Sequence, residues 1–310
     1  MKKLVKNRFT LVELLVSMAV FSILLVLMMQ FFSGARTLWT ANEKRAAIYA
    51  DATVAMDLMS QLLQSTFYNE PVAVTNGSGV ITEYKGGTPF AIRGIPAAKN
   101  SAPDRPNTIS DTNVDGWNSK IYFVSNSPLE LSKGSSVRYL SFQRKTDNRS
   151  GAPAGITRNV LELLVFSDSN KDLRFDKHFP PFGDANGKGD PEDTLSEVTT
   201  HLVDEVFSDT TTLDSEKERK VVLRNVTGLK FTPVDHKGQM IYGSNCNDLP
   251  AGIEIELSLM ENEQTIRDYQ ALKADDESSL KKLREEFRLK NEYTFRRTVW
   301  LGDRTLKFYE

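Results

Sequence analysis

The first part of the chain carries an unbroken apolar run that predicts one long helix. Residues 9–32 contain no Gly or Pro, and Glu13 is the only charged residue among these 24 positions. About 20 apolar residues are enough for a helix to cross the hydrocarbon core of a bilayer. An unbroken helix also satisfies its own backbone polar groups, as lipid requires. Residues 9–32 are therefore predicted to form a transmembrane helix.

The helical pattern continues beyond this run, where apolar residues recur mostly at steps of three and four. Residues 36–68 contain no Gly or Pro. Such spacing places an apolar stripe on one side of a helix. Residues 33–68 are therefore predicted to be the amphipathic half of the same helix, which would be about 90 Å long at roughly 1.5 Å per residue. The stripe consists of Ile48, Ala52, Ala55, Met56, Met59, Leu62, Leu63 and Phe67.

After residue 68 the pattern changes to short β-branched and aromatic runs separated by polar, Gly-rich segments. This pattern indicates strands joined by turns and loops. One long helix followed by mostly antiparallel strands predicts an α+β fold, in which the helix packs on the sheet of a β-rich head formed by residues 69–310. The strands are predicted at 120–124, 137–142, 160–166, 220–224, 228–232, 252–260 and 293–301.

Residues 262–291 of the head depart from the strand pattern. Apolar residues recur there at helical spacing within a charged segment, which predicts a helical insertion before the last strand. The insertion is interpreted either as a solvated helical arm or as a partner-binding feature.

An acidic loop at residues 167–193 is the one candidate metal site. Its opening positions alternate as the first ligands of a calcium loop do. The tight-turn position holds Leu173 instead of Gly, and the closing position holds Phe179 instead of Glu. Two interpretations therefore stay open, a calcium site or a solvated acidic loop. The candidate ligands are Asp168, Asn170, Asp172 and Asp176.

Charge is nearly balanced over the whole chain, with 39 Lys and Arg against 41 Asp and Glu, but it is uneven along it. Four basic residues precede the apolar run, which leaves 35 basic and 41 acidic residues in the remainder. Basic residues before a transmembrane helix predict a cytoplasmic N-terminus. The mildly acidic remainder makes nucleic acid an unexpected partner. The four basic residues are Lys2, Lys3, Lys6 and Arg8.

The sequence contains no motif typical of an enzyme. It has no Gly-x-Ser-x-Gly elbow, no phosphate-binding Gly-rich loop and no His-Glu-x-x-His helix. Cys246 is the single cysteine, so an intrachain disulfide is impossible, and the three histidines are widely spaced. The chain is therefore predicted to be neither an enzyme nor, apart from the calcium hypothesis, a cofactor-binding protein.

Two simpler interpretations of the N-terminus remain. A cleaved secretory signal explains the basic start and the small residues at 33–35, although the apolar run is about twice as long as a signal core. An uncleaved signal anchor explains the length and the orientation but not Glu13, since a carboxylate near the bilayer centre costs roughly 2.5–3.5 kcal/mol. The alternative function is accordingly a signal-anchored periplasmic hydrolase or carbohydrate-binding protein.

The sequence FTLVELLV, which begins at Phe9, resembles the N-terminal signature of type IV pilins and type II secretion pseudopilins. A short basic leader at residues 1–8, a Phe, a Glu at the fifth position and an apolar run follow in the same order. The resemblance implies that a prepilin peptidase cuts between Arg8 and Phe9 and methylates the new amino group. It also implies that Glu13 meets the Phe9 ammonium of a neighbouring subunit and so sets the axial register. The family's leader nearly always ends in Gly, whereas this one ends in Arg8.

The later segments VTGLKFTPVD, at 226–235, and LPAGIEIELSLM, at 249–260, resemble the late strands of minor pseudopilins of the J class. This resemblance implies a minor structural subunit of a type IV pilus-like filament or a type II secretion pseudopilus. It implies a single-pass protein of the bacterial inner membrane, with a cytoplasmic N-terminus and a periplasmic head. The partners that it implies are other pilin-like subunits, the prepilin peptidase and the membrane itself.

Overall fold

A computed structural model describes residues 11–68, 72–78, 81–85, 90–95, 119–125, 138–147, 158–166, 217–243, 245–246, 249–273 and 276–302. These residues form three helices and eleven strands, and every pair of hydrogen-bonded strands among them is antiparallel. The predicted α+β fold, a long N-terminal helix with antiparallel sheets, is therefore confirmed. The chain consists of two compact units, Met1–Ala50 and Asp51–Glu310.

Helix α1 spans Leu11–Gln64 and joins the apolar run to the amphipathic segment without a break. It ends four residues before Tyr68, the predicted end. The N–H of Thr66 bonds to the Leu63 carbonyl at 3.1 Å, which tightens the last turn. Thr66 then forms an isolated antiparallel bridge with Ser125, so the backbone leaves the helix to pair with a strand.

Within the second unit, residues 51–64 of α1 bury one side of the helix. The buried positions follow steps of three and four, so they share one face. Each of these side chains is at most 3% exposed, which identifies the predicted stripe as core. Phe67, predicted to extend the stripe, lies beyond the helix end and is 43% exposed, so its prediction as a core residue is wrong. The buried stripe consists of Ala52, Ala55, Met56, Met59, Leu62 and Leu63.

The described residues of the head form three sheets. Strands β1 (Val72–Thr75) and β2 (Ile81–Lys85) form a hairpin of their own. The largest sheet has the order β7-β6-β5-β4-β3-β9, in which the strands are β3 (Ala91–Arg93), β4 (Lys120–Ser125), β5 (Arg138–Asp147), β6 (Arg158–Phe166), β7 (Lys217–Arg224) and β9 (Asn245–Cys246). The third sheet has the order β11-β10-β8, in which the strands are β8 (Val226–Val234), β10 (Gly252–Met260) and β11 (Glu292–Trp300).

The chain passes from the six-stranded to the three-stranded sheet at Asn225. This residue has a φ of 61°, a left-handed conformation that Asn adopts more readily than most residues. Its carbonyl accepts a hydrogen bond of 3.0 Å from the N–H of Met260, at the end of β10. The turn therefore separates β7 from β8 and also ties the junction to the neighbouring strand.

Strand β8 lies at the centre of the head, with all but one of its nine residues buried. Among the described residues, hydrogen bonds from β5 and from the residue before β4 connect it to the six-stranded sheet. The N–H of Ser119, just before β4, donates to the Leu229 carbonyl at 2.8 Å. The guanidinium of Arg144 on β5 donates to the Thr227 carbonyl at 3.2 Å. Buried apolar residues of both sheets contribute to the core.

One face of the three-stranded sheet is turned toward α1. Residues opposite each other in register share a face, so Ile255 of β10 lies with Phe231 of β8 and Arg297 of β11. Arg297 in turn contacts Asp57 and Ser60 of α1. The alternate residues of the three strands consequently form the face turned away from this helix.

The segment predicted to be a helical insertion contains helices α2 (Glu263–Ala271) and α3 (Glu277–Asn291). Each begins with a side-chain cap: the Asn262 carbonyl oxygen accepts from the Thr265 N–H at 2.9 Å, and the Asp276 carboxylate accepts from the Ser279 N–H at 2.7 Å. The two helices enclose a small apolar cluster. Its members are Met260, Ile266 and Tyr269, with Leu272 and Phe287 packed against them.

Candidate functional site

The structure describes only one of the candidate site residues, Glu13 in the first described turn of α1. Arg8 and Phe9, the predicted processing positions, lie outside the described residues. The four candidate calcium ligands also lie outside them, together with the whole acidic loop 167–193. These ligands are Asp168, Asn170, Asp172 and Asp176. The assembly surface can therefore be built up from Glu13 and the residues that follow it.

The apolar residues of α1 up to position 32 form an exposed sleeve around the helix. Their side chains are between 42% and 77% exposed. Burial of one large apolar side chain is worth about 1.5–3 kcal/mol, so this sleeve in water forgoes on the order of tens of kcal/mol. The segment therefore requires apolar surroundings. The sleeve consists of Leu11, Val12, Leu14, Leu15, Val16, Met18, Val20, Phe21, Ile23, Leu24, Leu25, Val26, Leu27, Met28, Met29, Phe31 and Phe32.

Among the described residues, α1 is the one helix that is long and apolar enough to cross a membrane. Its hydroxyl groups are compatible with lipid because they are satisfied within the helix. Ser17 donates to the Leu14 carbonyl at 2.9 Å, and Ser22 donates to the Met18 carbonyl at 2.8 Å. Since such bonds leave no hydroxyl proton without an acceptor, they remove the main cost of placing Ser in hydrocarbon.

An exposed aromatic residue follows the sleeve at a distance that matches a bilayer. Trp39 is 75% exposed and lies 26 residues after Glu13, a rise of about 39 Å along the helix. A bilayer with its headgroup regions is roughly 40–45 Å thick. Trp is enriched at the interface between membrane and water, and a carboxylate near the helix start is favoured by the helix dipole. Glu13 and Trp39 can therefore occupy opposite boundaries of one membrane.

Glu13 lies beside a shallow apolar groove on the surface of α1. Val16, Ser17, Val20 and Leu24 follow it at helical spacing, so they lie on the same side. The groove is open along the helix and offers small and branched side chains to a neighbour. The residues that line it include no His, Lys or Cys, and the Ser17 hydroxyl donates to the Leu14 carbonyl rather than to a catalytic base. The groove can support lateral packing of a second helix against a face that begins with a single carboxylate.

Metal ligation finds no support among the residues that the structure describes. They contain no group of three or more His, Cys, Asp or Glu side chains that could hold an ion. Cys246, on β9, is half-buried and forms no disulfide. The calcium hypothesis for the acidic loop is untested by these residues and stays a prediction.

One exposed surface of the head was not singled out by the sequence analysis. Trp300, the last residue of β11, is 52% exposed and lies directly opposite Gly252 of β10. The pattern of β11 was interpreted only as a strand. An aromatic residue opposite Gly on a neighbouring strand would indicate such a surface. This pairing depends on strand register, which the sequence does not fix.

Comparison with known proteins identifies no relative of this chain, since no family model, curated protein or solved structure matches it.

Proposed function

We propose that this chain is a membrane-anchored, pilin-like structural subunit of the minor pseudopilin type. It assembles through its N-terminal helix into a type IV pilus-like filament or a type II secretion pseudopilus. The observation that carries this proposal is the apolar sleeve of α1, whose residues 11–32 are exposed and contain Glu13 as their only ionisable group. A plain anchor gains nothing from a carboxylate in this position.

The apolar sleeve and Glu13 place different demands on their surroundings. Lipid alone is sufficient for the sleeve, because hydrocarbon replaces water around each side chain. Where a neighbouring helix covers the groove and excludes water from Glu13, the carboxylate is tolerated when a cation from that chain pairs with it. The groove beside Glu13 then receives the helix that brings this cation. Membrane insertion and lateral assembly are thereby combined on one surface.

The cation proposed for this pair is the N-terminal ammonium of Phe9 in a neighbouring subunit. Removal of residues 1–8 would create it. Glu13 lies four positions after Phe9, so the pair corresponds to parallel helices offset by about 6 Å along their axes. Because an ion pair in an apolar medium is strongest at contact distance, neighbouring registers move the two charges apart and are disfavoured.

The proposed location is the bacterial inner membrane, crossed once. Four basic residues before the sleeve favour a cytoplasmic N-terminus. The body of the protein, which begins after Trp39, would then lie in the periplasm. Prepilin peptidase and other pilin-like subunits are the proposed protein partners.

The first test is the mass of the N-terminus in protein recovered from native membranes. A chain that begins at N-methylated Phe9 is expected, despite Arg8 in the place of Gly. A chain that begins at Met1 would retain the leader and supply no Phe9 amine, which would refute the register mechanism. A start near residue 36 would refute the anchor itself. A start at Met1 would favour a signal-anchored hydrolase or binding protein, and a start near residue 36 would favour a protein released by cleavage of a secretory signal.

The second test is cross-linking in membranes, in a Cys246→Ser background. Val20→Cys lies on the same side of α1 as Glu13, whereas Leu15→Cys is rotated by about 160° from it. Dimers linked by a bismaleimide long enough to bridge the axial offset of about 6 Å are expected from Val20→Cys and not from Leu15→Cys, since a direct disulfide requires Cα atoms within about 7 Å. Glu13→Ala should abolish the Val20→Cys dimer. Equal cross-linking at both positions, or dimers that persist without Glu13, would contradict assembly through this face.

A further inference from the structure

The face of the three-stranded sheet that is turned away from α1 has a regular arrangement of side chains. We name as the outer face the even-numbered residues among 230–234 of β8, 252–256 of β10 and 296–300 of β11. The register divides it into parallel rows across the strands. The first row pairs Val234, Gly252 and Trp300. The second row pairs Thr232, Glu254 and Thr298, and the third pairs Lys230, Glu256 and Arg296.

The first row presents an aromatic plane to solvent. A Cβ placed on Gly252 would lie 3.0 Å from Cε3 and 3.4 Å from Cδ2 of Trp300, so the indole lies against the glycine backbone. The indole remains 52% exposed. Gly252 thus provides the space in which the ring rests on the sheet. Val234, 4% exposed, continues the row as buried apolar support, and Met240 follows it across an isolated bridge.

The second and third rows supply hydrogen-bonding groups at the side of this plane. Thr298 is exposed, and Glu254 is half-buried. In the third row, the Glu256 carboxylate is 7% exposed and bonds to the Arg296 guanidinium at 2.9 Å. The Arg296 side chain is 66% exposed, so the buried carboxylate fixes one end of a guanidinium whose other donors face solvent. Trp300 and Arg296 are about 13 Å apart along β11.

The balanced charge of the outer face argues against binding of a polyanion or a polycation. Glu254 and Glu256 balance Lys230 and Arg296. Binding of a nucleic acid strand requires an excess of basic groups along its phosphates, which these rows do not provide. A protein partner would favour several apolar anchors that become fully buried. The second and third rows instead offer charged and hydroxyl groups.

We propose that the outer face binds a neutral saccharide. A pyranose ring has an apolar face of C–H groups and an edge of hydroxyl groups, which matches an aromatic plane beside polar rows. The C–H face stacks on Trp300, because the π-face of the indole carries partial negative charge. Glu254 and Thr298 accept and donate hydrogen bonds to the hydroxyl groups nearest the ring. Arg296, held by Glu256, reaches the next sugar unit.

This inference is independent of the proposed assembly, because the outer face contains no residue of α1. The test uses the full-length chain in lipid nanodiscs, which avoids detergents with sugar headgroups. Four neutral probes are titrated by calorimetry: cellotetraose, chitotetraose, maltotetraose and mannotetraose. Binding of at least one of them is expected. If none binds at millimolar concentration, the proposal is overturned whatever the N-terminus proves to be.

Variants localise the binding. Trp300→Ala is expected to reduce the affinity by about tenfold or more, and Glu254→Gln by a smaller factor, without a shift in unfolding temperature. Glu254→Gln keeps the test decisive if Trp300→Ala does not fold. Leu289→Ala is the matched control, since Leu289 is an apolar residue, 83% exposed, on α3. Its affinity should equal that of the unaltered chain.

Two outcomes would overturn the proposal even if a ligand binds, and a third would assign the outer face to another partner if no saccharide binds. Saccharide affinity that is unchanged in both Trp300→Ala and Glu254→Gln would place the sugar elsewhere. If heparin binds more tightly than the neutral probes, and the same substitutions abolish its binding, the site prefers anionic saccharides. Self-association of the chain that is lost in Trp300→Ala, without sugar binding, would make the outer face a protein interface.

Discussion

Arg297 on β11 donates a hydrogen bond to the carboxylate of Asp57 on α1, although 240 residues separate them in the chain. The same guanidinium nitrogen lies 3.4 Å from the Ser60 hydroxyl, one turn further along the helix. The last described strand is thereby joined to the helix that precedes the head. Because Arg297 is directly opposite Ile255 in the sheet, this contact also fixes which face of β10 is turned to the helix.

The ion pair itself is expected to contribute little stability. The Arg297 and Asp57 side chains are 37% and 59% exposed, and pairs of this kind are worth about 0.2–1 kcal/mol. A double-mutant cycle with Arg297→Ala and Asp57→Ala should therefore give a coupling energy in this range, and the coupling should fall at high salt. Urea unfolding of the full chain in micelles measures it. A coupling above about 2 kcal/mol would require a more buried pair than the structure has.

The apolar stripe of α1 is expected to dominate the attachment of the helix. Met59 is fully buried on this stripe, and Met59→Ala should lower the free energy of unfolding by about 2–5 kcal/mol because it leaves a cavity. Val54 lies on the same helix but is 68% exposed, so Val54→Ala should change the free energy by less than about 0.5 kcal/mol. Urea unfolding again provides the measurement. Similar losses for the two variants would show that the wrong helix face had been assigned to the core.

The packing of α2 on α3 should depend on the hydroxyl group of Tyr269. The Arg288 side chain is buried, its Nε donates to this hydroxyl at 3.1 Å, and its guanidinium lies 5.0 Å from the ring centroid. Tyr269→Phe keeps the ring contact but removes the acceptor, with an expected loss of about 1–3 kcal/mol. The half-buried Tyr242 serves as the control, since Tyr242→Phe removes a 3.5 Å contact with the Met240 sulfur. Faster hydrogen exchange confined to α2 and α3 would identify the loss as local.

Helix α3 should lose part of its first turn in acid. The Ser279 backbone N–H, and then its hydroxyl, hold the pKa of Asp276 below its ordinary value of 3.8. A carboxyl group with a lowered pKa in the folded state stabilises that state above the unfolded pKa, and this contribution disappears as pH falls through the folded pKa. Hydrogen exchange at residues 277–280 should therefore accelerate, relative to the rest of α3, below about pH 4.

Asp276→Asn provides the control for this acid effect, because its amide oxygen still accepts a hydrogen bond but does not titrate. In that variant the pH dependence of exchange in the first turn of α3, beyond the intrinsic chemistry of exchange, should be much reduced. The same acceleration in both proteins would assign the effect to another group.

The elements with strong periodicity could be predicted from the sequence, and the strands that depend on partners could not. Residues 252–260 alternate cleanly, and β10 has these bounds. Strands β3 and β9 have only three and two residues, too few for a period to be read. They form through pairing, β3 with β4 and β9 with β3. Phe67 fitted the helical spacing, yet pairing of Thr66 with Ser125 ended the helix before it. Local pattern thus predicted elements, whereas long-range pairing decided their ends.

The candidate sites differ in the same way. Glu13 could be singled out from the sequence because a carboxylate in an apolar run contradicts its surroundings. The outer face could not, since Trp300 and Gly252 become neighbours only through the register of two strands that are separated by α2 and α3. In a sequence, Gly indicates a turn. In this sheet, Gly252 instead leaves the space that the Trp300 indole occupies.

Gly34 lies in the interior of α1, where Gly is a poor helix former. A Cβ at this position would meet nothing within 4 Å, so the fold of a single chain gives no reason for Gly there. Gly34→Ala should raise the stability of the helix by about 0.5–1 kcal/mol, since Ala loses less backbone entropy. Circular dichroism of the chain in micelles measures this gain. If Gly34 instead allows a neighbouring helix to approach closely, the same variant should weaken Val20→Cys cross-linking in membranes while it stabilises the isolated chain. Unchanged cross-linking would place the contact between subunits away from Gly34, on the part of α1 that begins at Glu13.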